Sequence, residues 1–294
     1  MAYTAIALTD PVSGYSVDFR PVDGVTVTTL DIQPSVRAVS EERVGGSGQV
    51  DNTMWLSTCA VTLSAILWAA DDGGTPEQFL DAVGPLLGPW LRPALVCSND
   101  QWAQQRQLTV RFDSKTGPVD NPLYTNLAWS FKAPNGIWEA AVVTEAIIPA
   151  FIAATGGLAV TPVTGVPVTT SGLAVTAGAD VGEAVAVAAG NMPVQWTASL
   201  YGPCTAPALA NDTAGLGLEF TSGVVLAAGD FIALNSQNRT AIQSSTGESV
   251  LGSLDFAASG WWLMQPGVNE IRYNPVTAAA GSAAVIDFRP GWMP

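Results

Sequence analysis

Two alternating segments near the C-terminus constrain the fold of this chain more than any other feature of its sequence. Mostly apolar residues at every second position alternate with mostly polar ones over residues 269–274 and again over residues 284–289. A period of two places successive side chains on opposite faces of a sheet. Both segments are therefore predicted β-strands with one face in a core. We expect the last residues, which include Trp292, to be tied into a sheet.

Similar strand signals recur along the chain, with turns rich in Gly, Asn and Pro between them, at spacings typical of a β-sandwich. The predicted strands span residues 4–8, 15–19, 25–32, 107–112, 127–132, 185–188, 194–201, 216–220, 231–234, 240–244, 271–274 and 284–289. A polar, glycine-rich segment at residues 41–53 is predicted to be a loop. The chain is therefore expected to be mainly β.

One short helix interrupts this pattern at residues 75–84. Thr75 is a good N-cap, Pro76 suits the first helical position, and Gln78 completes a capping box. The Gly84–Pro85 step is predicted to end or kink the helix.

The composition of the chain changes near residue 144. Residues 157–164 and 172–179 carry two similar phrases, GLAVTPVT and GLAVTAGA, which we interpret as similar strands or as an Ala, Val and Thr bias. The strand spacing beyond them predicts an antiparallel β-sandwich. We therefore predict a β domain with one short helix over residues 1–143 and a β-sandwich domain over residues 144–294.

Charge and hydropathy limit the classes of function. Charged residues make up 12 % of the chain, about half the usual share. Such a low share of charged residues is typical of a protein that buries much of its surface in contacts with partners. It is also typical of a β-rich domain in which Ala, Gly and Val are frequent. No apolar run approaches the roughly 18 to 20 residues of a membrane helix, and the N-terminus lacks a basic signal region. We expect no membrane association, and a protein made in a cytoplasm or assembled there.

The net charge of −14 argues against sequence-independent binding of nucleic acid, which needs clustered Lys and Arg. An acidic surface would instead keep DNA from adhering to a channel through which it passes.

The residues that catalysis and metal binding usually need are scarce. The chain has no histidine, which excludes His-based triads and nearly all zinc sites. Cys59, Cys97 and Cys204 lack paired metal spacing, so we predict free, buried thiols. Asp71–Asp72 is not part of a regular calcium-loop phrase, and residues 45–48 lack the spacing of a phosphate-binding loop. We predict no catalytic, cofactor or metal residue.

Trp261 and Trp262 could form a platform for a sugar, since the chain has ten tryptophans in all. Adjacent strand positions point to opposite faces, however, so at most one of the two is buried. A place in the core or in an interface is the alternative for each.

Several phrases resemble the distal tail proteins of long-tailed phages (siphophages), the minor tail proteins between tail tube and tail tip. In residues 36–63, Arg37, Gly48, Asp51 and Thr53 stand where that family has an Arg-containing strand and a Gly–x–x–Asp–x–Thr loop. The other similar segments are residues 75–84, 106–112, 126–140, 190–207, 226–235 and 261–273.

The resemblance implies a ring domain built on a small β-barrel or split sandwich, followed by a galectin-like β-sandwich. It implies a hexameric ring, a structural role in the virion without enzymatic activity, and a place at the tail tip after assembly in the host cytoplasm. The implied partners are the tail tube protein, the hub or tip proteins and the tape measure protein. DNA would pass through the lumen without specific binding, and we expect Asp and Glu to be in excess there.

We predict interface residues at five positions, namely Arg37, Arg43, Asp51, Trp90 and Trp292. Two other functions stay open. A peripheral receptor- or carbohydrate-binding tail module would show an exposed aromatic groove rimmed by amides and carboxylates. A tail-tube or head–tail connector subunit would have less need of a second, peripheral sandwich.

Overall fold

The computed structural model describes residues 3–20, 22–34, 36–42, 49–56, 58–69, 74–121, 124–150 and 182–293. These residues are mainly β with one short α-helix, which confirms the predicted fold class. The chain divides into two compact units, residues 1–142 with 291–294, and residues 143–290. Within the described ranges, no helix is long and apolar enough to cross a membrane.

The first unit begins with a run of strands and the helix. In its described part these are β1 (Tyr3–Thr9), β2 (Ser16–Arg20), β3 (Val25–Gln33), β4 (Val36–Glu42), β5 (Gln49–Leu56), β6 (Cys59–Leu67), α1 (Pro76–Val83), β7 (Ala94–Asn99), β8 (Arg106–Thr109), β9 (Arg111–Asn121), β10 (Tyr124–Ala133) and β11 (Trp138–Ala140).

The second unit contains shorter strands, and the chain then returns to the first unit. The strands are β12 (Thr144–Pro149), β13 (Glu183–Ala188), β14 (Trp196–Tyr201), β15 (Cys204–Thr205), β16 (Ala208–Asn211), β17 (Leu216–Glu219), β18 (Val225–Leu226), β19 (Phe231–Asn235), β20 (Thr240–Gln243), β21 (Gly267–Tyr273), β22 (Thr277–Ala278), β23 (Ala283–Phe288) and, in the first unit, β24 (Gly291–Trp292).

Two sheets build the first unit. One has the order β2-β1-β7-β8-β11-β24 and the other β3-β6-β10-β9, while β4 and β5 pair only with each other in the described residues. Inward side chains of both sheets share one core, for example Phe19 from β2 and Trp129 and Phe131 from β10. Phe19 meets Trp129 edge to face at 5.4 Å between ring centroids. The two sheets therefore pack face to face as a sandwich.

The helix α1 begins and ends as its sequence predicts. The Thr75 side chain accepts a hydrogen bond from the Gln78 backbone, and the Gln78 side chain accepts one from the Thr75 backbone. The α-helix ends at Val83, and residues 84–87 continue as a single 3-10 turn. Val83 and Leu86 then point into the core of the first unit.

The second unit is an antiparallel sandwich in the described residues. A sheet of order β12-β23-β14-β19-β20 faces a sheet of order β13-β21-β16-β17, and β18-β15-β22 forms a smaller third sheet. Trp196 and Phe288 from the first sheet and Ile271 and Tyr273 from the second share one core. The alternating segments at residues 269–274 and 284–289 thus lie in β21 and β23, each with one buried face.

The structure also corrects some local predictions. The loop predicted at residues 41–53 is wrong at both ends, because β4 extends to Glu42 and β5 starts at Gln49. An isolated two-stranded ribbon needs no apolar alternation, so its polar sequence carried no strand signal. The predicted strand at residues 107–112 is interrupted at Val110, which lies between β8 and β9. The two similar phrases at residues 157–164 and 172–179 lie outside the described residues.

The compact units divide the chain next to the predicted boundary. They differ from the predicted domains in placing residues 291–294 with the first unit, because β24 pairs with β11 there.

Candidate subunit interface

One sheet of the first unit presents an outer face of small, mostly hydroxylated side chains. In the register of β6 and β10, Ser130 lies opposite Thr62 and Ala128 lies opposite Ser64. These residues alternate with core residues of the same strands, so they point away from the core. A single ion pair, Lys132 to Asp113 at 2.7 Å, lies at the end of this face. Arg111 lies opposite Lys132, and Asp31 lies opposite Thr62, so this face carries charged side chains of both signs.

Both edges of this same sheet are long. The edge strands are β3, with 9 residues, and β9, with 11 residues, and in the described residues each has a sheet partner on one side only. An unpaired strand edge presents backbone N–H and C=O groups that another chain can use. The sheet therefore offers two edges at which further copies could add.

The predicted interface residue Trp90 lies in a turn between the helical segment and β7. Its side chain is 88 % exposed, the highest value for an aromatic residue in the described part of the chain. The Leu91 backbone N–H donates to the Gly88 carbonyl at 3.0 Å and closes the turn. An indole ring is thus held in solvent at the tip of a closed turn.

The predicted interface residue Trp292 is instead engaged within its own chain. The guanidinium carbon of Arg106 lies 4.1 Å from the Trp292 ring centroid and 4.4 Å from that of Trp102. Trp102 in turn meets Trp138 edge to face at 5.4 Å, and Trp138 pairs with Trp292 through the backbone. Arg106 is therefore held between two indole rings, a favourable cation–π arrangement.

Burial lowers the pKa of Arg106, while the neighbouring Tyr3 opposes this shift. The Nε atom of Arg106 is buried and makes no hydrogen bond with the described residues. Arg106 was not predicted from the sequence. Trp102 and Trp292 lie far apart in the sequence, so their positions gave no indication that both would contact Arg106.

The remaining predicted interface residues belong to the β4–β5 ribbon or its connection. Arg37 lies opposite Trp55 and Asp51 lies opposite Ser40 in the backbone register, so the two residues stand on paired strands. Their side chains lie outside the described part of the structure, and Arg43 lies outside it entirely.

A buried pair of asparagines organises the second unit. Asn269 and Asn211 are both fully buried, and the Asn211 Nδ2 donates to the Asn269 Oδ1 at 3.2 Å. Asn269 also accepts from the Gln265 backbone N–H at 3.0 Å and donates to the Gln265 carbonyl at 2.8 Å. The pair therefore joins β16 to β21 and to the turn before β21. Asn269 alternates in sequence with the same set of positions as Ile271 and Tyr273, and this spacing was the sequence signal that Asn269 would be buried.

A second polar cluster surrounds Asp230 at the start of β19. Its carboxylate accepts hydrogen bonds from Ser244 Oγ at 2.6 Å, Gln243 Nε2 at 2.6 Å and Ser245 Oγ at 2.8 Å. Burial alone would raise the pKa of Asp230, but the hydrogen bonds from Ser244, Gln243 and Ser245 outweigh it and lower the pKa to about 2. The cluster closes the hairpin and leaves the carboxylate charged at neutral pH.

The tryptophan pair that could hold a sugar packs on a third tryptophan. The rings of Trp261 and Trp262 lie 6.0 Å and 4.5 Å from the Trp196 ring, and the Trp196 Nε1 donates to the Trp262 carbonyl at 3.0 Å. Trp262 is buried and Trp261 only partly exposed. These contacts leave no open pair of indole faces for a sugar.

Cys59, Cys97 and Cys204 are buried and form no disulfide bond in the described residues, as predicted. Burial raises the pKa of the Cys97 thiol, which stays protonated. The described residues contain no group of three His, Cys, Asp or Glu side chains placed to hold a metal ion.

Solved structures of phage proteins share this fold over nearly the whole chain. The Dit protein of phage SPP1, described as a paradigm of the hub adsorption apparatus in phages that infect Gram-positive bacteria, matches with a TM-score of 0.61 at 10 % identity. The match covers 97 % of this chain and 98 % of that one. A chain of the phage p2 baseplate in its activated, calcium-containing conformation matches with a TM-score of 0.50 at 12 % identity over 98 % of both chains.

No protein-family model and no curated protein sequence matches the chain. At these identities the structural matches establish the fold. The resemblance to distal tail proteins that the sequence suggested is confirmed at that level.

Proposed function

We propose that this chain is a non-enzymatic structural protein of a phage tail, which forms a hexameric ring between the tail tube and the tip hub. The observation that carries the proposal is the match of both units, in one chain, to the hub protein of phage SPP1. A match of one sandwich alone would say little about function, because sandwich folds serve many unrelated functions.

The two long edges of the β3-β6-β10-β9 sheet provide a physical route to a ring. An edge of one copy that pairs with the opposite edge of the next makes a heterologous contact. Such a contact repeats from copy to copy and ends in a closed ring when the rotation closes. Pairing would also protect strands that otherwise invite aggregation.

The outer face of that sheet is the surface we assign to the lumen. Thr62, Ser64 and Ser130 give it hydroxyl groups, while Asp113 neutralises Lys132. Asp31 and Asp113 accompany the cations Arg111 and Lys132, so the face would offer DNA no excess of positive charge to neutralise its phosphates. The sequence suggested an acidic lumen to which DNA would not adhere. A face with balanced charge would also keep DNA from adhering.

In this function the partners are further copies of the chain, the tail tube protein, the hub or tip proteins and the tape measure protein. The chain would be assembled in the host cytoplasm and remain in the virion at the tail tip. No catalytic residue, cofactor or metal is part of the proposal.

Native mass spectrometry of the purified chain, with negative-stain images of the same sample, tests the ring. We expect a six-subunit species with an open central pore. A stable monomer or trimer at high concentration, unchanged by addition of the neighbouring tail proteins, would contradict the proposal. If such a monomer bound ligands on a glycan array, the peripheral binding module would become the better interpretation.

A further inference from the structure

The exposed indole of Trp90 is unusual for a side chain with so much apolar surface. A tryptophan buries about 150 to 250 Å² when it packs in a core or an interface, yet Trp90 is 88 % exposed. The next most exposed aromatic in the described residues is Phe256, in the second unit, at 69 %. Trp and Arg are the residue types that most often dominate binding at interfaces.

The turn that carries Trp90 is held by hydrogen bonds within its own chain. Arg92 Nη1 donates to the Leu91 carbonyl at 2.9 Å and to the Pro89 carbonyl at 3.4 Å, across the turn. The turn is also anchored on both sides, by the buried side chain of Leu86 before it and by Pro93 after it. A preorganised loop loses little conformational entropy on binding, so its contacts retain more of their free energy.

The same unit has a groove that could receive an indole. Two cavities of about 450 Å³ and 500 Å³ lie along the first half of β3 and share the lining residues Arg20 and Val27. Val22 and Val25 add apolar surface to one of them, and Leu30 adds it to the other. Arg20 stands at the junction and is exposed. Asp23 and the threonines of β3 add polar side chains to the lining. The valines and the Arg20 guanidinium together match an indole, which has a large apolar surface and a face that attracts cations.

The turn and the groove lie towards opposite edges of one sheet. The groove follows β3, which is one edge of the β3-β6-β10-β9 sheet. The turn leads into Pro93, whose carbonyl accepts a hydrogen bond from the Val110 N–H at 2.9 Å, immediately before β9, the other edge. A protrusion at one edge and a recess at the other allow copies to join head to tail.

We propose that Trp90 of one copy inserts into the β3 groove of the next copy, with its indole against the Arg20 guanidinium. This inference rests on the proposed ring and names the contact that would hold it together. The chain already uses the same chemistry within the first unit, where Arg106 lies between Trp102 and Trp292.

Association of Trp90→Ala chains, measured by native mass spectrometry over a concentration series, is the first test. We expect subunit association at least roughly tenfold weaker than in the wild type, as for an interface hot spot. Arg20→Gln should weaken it in the same direction, because it removes the cation from the groove. Phe256→Ala is the matched control, since it removes an exposed aromatic from the second unit, and we expect no change.

Cross-linking tests the geometry directly. Pro89→Cys and Thr26→Cys place a thiol beside the indole and another in the groove. Under mild oxidation, the double variant should form intermolecular disulfides that link successive subunits, while a mixture of the two single variants should give linked dimers.

The outcomes separate the inference from the proposed function. If wild-type chains form rings and Trp90→Ala chains form them equally well, without cross-links in the double variant, the groove contact is wrong and the ring stands. If wild-type chains form no ring even with the neighbouring tail proteins, the proposed function itself fails.

Discussion

The guanidinium carbon of Arg106 lies 4.1 Å from the centroid of the Trp292 indole, so that a residue of β8 holds the last strand of the chain. Trp292 reaches this position because β24 pairs with β11 at the edge of the larger sheet of the first unit. In the sequence, β24 comes after all the strands of the second unit. The C-terminal residues are therefore part of the first unit in packing as well as in backbone pairing.

Trp292→Ala should destabilise the first unit by about 1 to 3 kcal/mol, because it removes a cation–π contact and buried aromatic area together. Urea unfolding followed by circular dichroism measures the change. Val12→Ala is the matched control, because Val12 is an apolar residue of the first unit that is 93 % exposed, and we expect less than about 0.5 kcal/mol there. Equal effects for both would mean that Arg106 gains nothing from Trp292.

Asp230→Asn should make the stability of the second unit less dependent on acid pH. The pKa of Asp230 is about 2 in the folded state against 3.8 as the reference value, so the charged carboxylate favours folding above pH 4. This contribution is lost as the pH falls from about 4 to about 2. A shift of this size corresponds to about 2 kcal/mol.

The measurement is the urea midpoint of wild type and Asp230→Asn at pH 7, 4 and 2. We expect the wild type to be more stable at pH 7 and the two proteins to converge towards pH 2. Glu248→Gln, an exposed carboxylate near the same hairpin, serves as the control. A constant difference at all three pH values would show that the carboxylate charge is unimportant.

Asn269→Ala should cost about 2 to 4 kcal/mol, since it leaves the amide of Asn211 and the Gln265 N–H buried without their acceptor and opens a cavity. Chemical denaturation of the second unit reports the loss. Asn274→Ala, at the exposed residue that follows β21, is the comparison and should lie within about 0.5 kcal/mol of wild type. Similar values for both variants would argue against the buried pair as a structural element.

Gly117→Ala should weaken the β9–β10 pair. Gly117 has φ of +120°, and a Cβ there would lie 2.6 Å from the Asn126 carbonyl oxygen, so both the backbone and the space are unsuitable for a side chain. We expect a destabilisation of about 1 to 3 kcal/mol and faster amide exchange in β10.

Gly84 differs from Gly117, because a side chain added at Gly84 has space. Gly84 follows α1 in helical conformation, with nothing within 4 Å of the added methyl group. Alanine there restricts the unfolded chain, but Pro85 disfavours the helical region for a preceding residue that carries a Cβ. These two effects oppose each other, and the net change should stay within about 0.5 kcal/mol. A destabilised Gly84→Ala would indicate that glycine is needed in the turn for another reason.

Local chemistry was enough to predict much of the fold. The capping box of Thr75 and Gln78 and the alternation in β10, β21 and β23 all form as their sequences indicate. These signals depend on neighbours within a few residues, so they can be read from the chain. The strands β7 and β12 were missed, because a short apolar segment is a strand only if a partner strand lies beside it.

The candidate interface was harder to predict. The sequence named Trp90 and Trp292 together, and only the tertiary structure separated them, with one indole in solvent and the other against Arg106. A tryptophan has the same local signature in both settings. Its environment depends on residues that the chain brings together from far away.

By itself, the sequence determined the β class, the position of the helix, the buried face of the main strands and the absence of histidine chemistry. Each of these follows from residue type and short-range periodicity. The tertiary structure alone decided that β24 joins the first unit, that β3 and β9 are edges, and that a groove accompanies β3. Strand order and edges arise from long-range backbone pairing, for which the free energy depends on the whole sheet and not on any single segment.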